Sequence, residues 1–170
     1  MVRRVVTHVN ADGRSGFAHD ADVRQVQHVH TPGFAFGVVW SSAEGRVQDP
    51  DAAPGRFVPA PGESLALTVT FPPDAVFFDS AFDPGPAVAE NLANLPGLAE
   101  LFEPDAPGMH TTPTVDYVVV LEGTVVLELD EGTATLVPGD VVVQNGTRHA
   151  WRVPSDSPAT IFVVLTGRAS

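Results

Sequence analysis

The chain has no cysteine. It can hold neither a disulfide framework nor a thiolate zinc site, and a cytoplasmic location is expected. Lysine is missing as well, since all nine basic residues are arginine. That excludes a lysine Schiff base and a lysine general base. No apolar run approaches the roughly 18 residues of a membrane span. The opening MVRRVVTHVN lacks the apolar core of a signal peptide. Positive charge is scarce: the net charge of −12 argues against nucleic acid and anionic membranes as partners. There is no glycine-rich phosphate loop and no serine nucleophile elbow. No helix-turn-helix pattern or basic patch supports a regulator of transcription.

What remains is a chain of 170 residues, 44% hydrophobic, which is enough for one domain with a core rather than a disordered segment. Short β-branched runs dominate it. Strands are expected at 3–9, near 15–19, twice within 26–41 around the turn Thr31-Pro32-Gly33, and at 64–71. Residues 44–63 are rich in Pro, Gly and Asp and read as a surface loop. Residues 86–103 change character. Val88, Leu92 and Leu95 stand at helical spacing behind Pro86, and Pro96-Gly97 ends the run. From Met109 to Trp151 the strands come thickly, at 115–121, 124–129, 133–137, 141–144 and from His149, with a last one at 160–166. Their turns are Glu122-Gly123, Asp130-Glu131-Gly132, Pro138-Gly139-Asp140 and Asn145-Gly146. Short, evenly spaced strands of this kind make an all-β barrel or sandwich.

The stretch 109–166 resembles the cupins, small double-stranded β-helix (jelly-roll) barrels. Their first motif, G-x5-H-x-H-x3–4-E-x6-G, falls on His110-x-Thr112-x3-Asp116-x6-Gly123. The second, G-x5-P-x-G-x2-H-x3-N, falls on Gly132-x5-Pro138-Gly139-Asp140 and then Gly146-x2-His149-x3-Val153. Thr112 stands for the second histidine of the first motif, Asp116 for its glutamate, Gln144 for a proline and Val153 for the closing asparagine. The resemblance implies a cupin barrel over 86–170, with 1–85 packing on it or completing it, in a single domain. It also implies one divalent metal (Fe, Zn, Mn or Ni) held by His110, Asp116 and His149, a recognised two-histidine, one-carboxylate set. A metal-dependent enzyme acting on a small organic molecule follows, as a decarboxylase, dehydratase, isomerase or other lyase, or as a non-haem oxygenase. The alternative is a non-catalytic small-ligand binder with a degenerate site.

Geometry bears on this set. On one straight strand, six residues at about 3.3 Å each would hold His110 and Asp116 roughly 20 Å apart. Pro113 can bend the chain and turn both side chains toward one point. Asp116 then shares a face with Val118 and Val120, and a bare carboxylate in apolar surroundings is costly unless an ion or a charged histidine offsets it. The rival placement is the barrel rim, with Asp116 paired to Arg148 or Arg152. Thr112, Val118, Trp151 and Tyr117 are assigned to the pocket wall, although alternation puts Tyr117 opposite Asp116 and makes it a packing residue rather than a catalytic acid. His149 is expected at the barrel mouth, contributing little packing. His28-x-His30 copies ligand spacing but has no carboxylate close behind it, so both read as structural. Arg3-Arg4 reads as a solvated strand end, and Glu122 and Glu128 as facing water. A homodimer through the edge strands at 3–9 and 27–40 is expected.

Overall fold

In the computed structural model, residues 2–43 and 51–169 are described, and they form an all-β barrel with two short helices. The residues 44–50 of the expected loop lie outside the described residues, and 51–63 run as turns and bends. The strands are β1 (Arg3–Val9), β2 (Ser15–Asp22), β3 (Val26–Gln27), β4 (Ala35–Ser41), β5 (Ser64–Phe71) and β6 (Thr114–Glu122). They continue with β7 (Val125–Leu129), β8 (Thr133–Leu136), β9 (Val141–Gln144), β10 (His149–Arg152) and β11 (Ala159–Gly167). A six-stranded sheet in the order β3-β4-β5-β11-β6-β9 faces a three-stranded sheet, β10-β7-β8, while β1 and β2 form a hairpin of their own.

Strand register lays the core out in rows. Val38, Leu67, Val163, Val118 and Val142 are cross-strand partners in one apolar row. The next row along is Leu65, Leu165, Asp116 and Gln144. Polarity therefore begins abruptly at Asp116, and the same alternation that makes Val118 and Val120 core residues carries this carboxylate inside.

The turns are set by backbone chemistry. Gly123 has φ of 75°, and a Cβ there would strike the Pro158 carbonyl oxygen and lie 2.8 Å from Ala159 Cα. Gly123→Ala should therefore cost about 2 kcal/mol, read as a lower denaturant midpoint with an unchanged slope. Unchanged stability would mean that the β6–β7 turn relaxes.

Helix α1 spans Ala75–Phe78 and α2 spans Pro84–Asn94, with the Asp83 carboxylate accepting from Gly85 N–H. A 3₁₀ turn follows at Ala99–Leu101. The helical spacing of Val88 and Leu92 is real, but these residues are 56% and 43% exposed, whereas Ala87, Leu95 and Ala99 are buried. Glu90 ties α2 down, accepting from Val29 N–H at 2.8 Å and His30 N–H at 2.7 Å.

The pair Arg3-Arg4 divides. Arg3 is at the surface beside Asp20. Arg4 is not solvated: its side chain is 2% exposed and bonds the Val38 carbonyl, His19 and Asp51. The reason is that the hairpin lies against β4, where Arg4, Val5, Val6 and Thr7 share a groove with Val39 and Trp40. No described helix is long and apolar enough to cross a membrane.

Candidate functional site

His110 and His149 face each other across an isolated antiparallel bridge, with backbone bonds of 3.0 Å in both directions. Their ring centroids are 4.3 Å apart. Each ring is fixed in the same way. His110 Nδ1 lies 3.0 Å from the Gly108 carbonyl oxygen, and His149 Nδ1 lies 3.0 Å from that of Thr147. A carbonyl can only accept, so each Nδ1 carries the proton and each Nε2 keeps a lone pair. The Thr147 carbonyl also accepts from Gln144 Nε2 at 3.1 Å, and the same Nε2 donates to the Thr147 hydroxyl. Gln144 thus braces the loop that orients His149. Motif spacing assigns Gln144 only to the place of a proline, and this bracing role emerges from the folded loop.

Burial sets the electrostatics. It pushes the His149 pKa down to about 4, with the neighbouring His110 adding to the shift and the Thr147 carbonyl opposing it. Burial lowers His110 as well, against the Gly108 carbonyl and Glu103. Both imidazoles are therefore neutral near pH 7, the state that can donate a lone pair. Burial drives Asp116 the other way, up to about 6, with the Thr114 hydroxyl a smaller opposing influence. Asp116 is 5% exposed and its Oδ1 has no hydrogen-bond partner.

The rim placement of Asp116 is thereby overturned. The arginines that could have paired with it are engaged elsewhere, Arg148 with Glu103 and Asp130, and Arg152 with Glu128. Glu128 accordingly does not simply face water. His149 is not a loosely packed mouth residue either, being 3% exposed.

The chain does bend near Pro113, leaving the bridge with β10 to enter β6 in the other sheet. Yet no group of three or more His, Asp and Glu among the described residues stands close enough to hold an ion. The fold brings His110 and His149 together and places Asp116 beside Gln144 and Leu165, because it pairs five residues ahead of His149. The chemistry of the histidine pair fits a divalent ion by tautomer and charge, and the unpartnered Asp116 oxygen is a further donor inside the same barrel.

The wall is aromatic. Phe102 lies 4.8 Å from His110, Trp151 lies 5.9 Å from His149, and the ladder continues through Phe71 and Phe34 to His28. Trp151 and Val118 are inward as expected, and Thr112 is buried, accepting from the Thr114 hydroxyl at 2.7 Å. Tyr117 is the correction: it is 52% exposed and sits outside, since its neighbours Asp116 and Val118 occupy the inner face. The sequence allows Phe34 as core or pocket wall, but strand alternation cannot show which rings meet across two sheets, so Phe71 and Phe102 carry no sequence signal for this wall. His28 is enclosed by Phe34 and Phe36, with its side chain 0% exposed and both ring nitrogens unpartnered.

Residues 100–165 match the family described as a cupin domain. Phomopsin biosynthesis cluster protein C′ of Diaporthe leptostromiformis is 34% identical over 135 residues, which are 70% of this chain and 69% of that protein. The chain belongs to the cupin family. Oryzines biosynthesis cluster protein J of Aspergillus oryzae is 44% identical over 73 residues, 42% of this chain and 37% of that protein. The alignment thus spans well under half of that relative's length. Among solved structures, a putative ethanolamine utilization protein Q from Salmonella typhimurium is similar over 99% of this chain and 98% of its own, with 9% identity and a TM-score of 0.47.

Proposed function

We propose that this cupin holds one divalent metal ion at His110 and His149, with Asp116 as the carboxylate that joins them, and acts there on a small organic molecule. The observation that carries the reading is the shared tautomer. Two neutral histidines at one bridge are each locked by a backbone carbonyl so that Nε2 is left to donate. An iron, zinc, manganese or nickel ion in that position would supply Lewis-acid polarisation of a substrate oxygen, or iron chemistry with oxygen. The chain's own residues do the rest. Trp151 and Phe71 offer a dry surface to the apolar part of a ligand, and Gln144 holds the Thr147 carbonyl that orients His149. Relatives named for the oryzine and phomopsin biosynthesis clusters favour a small organic substrate. Decarboxylation, dehydration, isomerisation and oxygenation all fit this site.

A second reading, a non-catalytic ligand binder, is favoured by the lack of a three-ligand group among the described residues. Elemental mass spectrometry on tag-free protein separates the two. About one ion per chain is expected. Folded protein that stays empty after incubation with iron, zinc, manganese and nickel would overturn the metal reading in favour of the second.

A further inference from the structure

His28 takes no part in the site at His110 and His149. Its imidazole is enclosed by Phe34 and Phe36, with ring centroids 4.7 and 6.0 Å away, and neither ring nitrogen has a hydrogen-bond partner among the described residues. Phenylalanine would fill such an enclosure without drying two polar nitrogens. The Glu90 carboxylate stands 4.0 Å from His28 Nδ1.

The loop that carries His28 is a closed unit. His28 N–H donates to the Phe34 carbonyl and Phe34 N–H to the Thr31 carbonyl, each at 3.0 Å. Thr31 is 5% exposed, and a Cβ on Gly33 would lie 3.3 Å from Pro72. Glu90 clamps the loop to α2 through the amides of Val29 and His30. The loop ends at Phe34, from which the aromatic wall runs through Phe71 and Trp151 to His149.

Burial holds the His28 pKa below its ordinary value, with Glu90 opposing, so the loop closes over a neutral ring at pH 7. Burial pushes the Glu90 carboxyl up, but the Val29 and His30 amides and the two nearby histidines hold it below the usual carboxylate range. Glu90 therefore stays ionised at pH 5. These are the charges around His28: Glu90 from α2, His30 from its own loop near the same carboxylate, and uncharged rings on the β4 side.

We propose that residues 28–33 form a proton-operated latch, clamped on α2 by Glu90 while His28 is neutral and released when His28 takes up a proton, baring Phe34 at the head of the wall. A charged His28 would point its Nε2 proton into aromatic carbon, and the Glu90 oxygens near Nδ1 already serve two amides. Solvating that cation outside is cheaper than keeping it buried. A charged His30 would be drawn to Glu90 and would hold the loop, so release on acidification belongs to His28. Because the folded pKa is the lower one, the closed loop has its full stability above pH 6.5 and loses it as pH falls. No metal is involved, so this proposal and the reading of His110 and His149 stand or fall separately.

The chain has no cysteine, so Thr31→Cys places a single reporter under the closed loop. Its labelling by a dithiodipyridine, normalised to an exposed Ser157→Cys control to remove thiol ionisation, should rise about 10-fold from pH 7.5 to pH 5. With His28→Phe added, labelling should stay slow at both pH values. With Glu90→Gln added, it should already be fast at pH 7.5. In unmodified protein, exchange protection of the Val29 and His30 amides should fall with the same midpoint as the His28 ring signals in NMR, a readout that holds even where a variant misfolds. Labelling that does not change with pH would overturn the latch. So would the same rise in the His28→Phe variant, slow labelling at pH 7.5 in the Glu90→Gln variant, or amide protection that persists after His28 is protonated.

Discussion

His149→Leu is expected to lower divalent-metal affinity by more than about 100-fold while the barrel remains folded. Leucine suits the site better than alanine as a probe. His149 is 3% exposed and its ring packs between His110 and Trp151, so alanine would open a cavity costing about 2–5 kcal/mol and blur the result. Leucine fills nearly the same space and cannot coordinate. The Thr147 carbonyl, which loses the His149 donor, still accepts from Gln144. Stability at pH 7 should therefore change by less than about 1.5 kcal/mol. Loss of a partner that merely orients a ligand already costs about 10–100-fold in affinity, and loss of the ligand should exceed that. Acid sensitivity gives a second readout. His149 titrates at about 4 in the fold against 6.5 when exposed, so its stabilising contribution is full above pH 6.5 and lost as pH falls toward 4. Metal-free His149→Leu should lack that loss, worth about 3 kcal/mol. Isothermal titration of metal and melting curves across this range measure both effects. Undiminished metal binding in the folded variant would remove His149 from the site.

Asp116→Asn should make the metal-free protein more stable at pH 7, by up to about 3 kcal/mol, or a melting point about 10 °C higher. Burial raises the Asp116 carboxyl from 3.8 to about 6, and no partner serves its Oδ1. The folded pKa lies above the unfolded one, so the sign is the reverse of a paired carboxylate. Ionised Asp116 destabilises the fold fully above pH 6, and the penalty disappears as pH falls through 4. Asparagine keeps the shape without the charge. The difference between variant and wild type should be largest at neutral pH and close to zero at pH 4. The same substitution should weaken metal binding, so a function is what would keep so costly a carboxylate in the core. A metal-free Asp116→Asn protein less stable than wild type at pH 7 would show that the carboxylate is satisfied in a way the structure does not contain.

Much of this was legible in the sequence. Alternation placed β6 to β11 within a residue or two, because one face is apolar and the period of two is rigid. Asn145-Gly146 and Glu122-Gly123 marked their turns, since Gly146 and Gly123 adopt positive φ that other residues resist. The inward side of Asp116 followed from the same alternation. What the period could not supply was the meeting of strands far apart in sequence. It gave helical spacing to Val88 and Leu92 but not the face on which α2 packs. It put Arg4 at a strand end but not beneath β4. Most of all, it set His110, Asp116 and His149 at family spacing without their register. Pairing between the sheets brought the two histidines to one bridge and seated Asp116 beside Gln144. Alternation is local, fixed by each residue's own backbone, whereas the distance between ligands depends on how separate strands align across the barrel, which only the packed core decides.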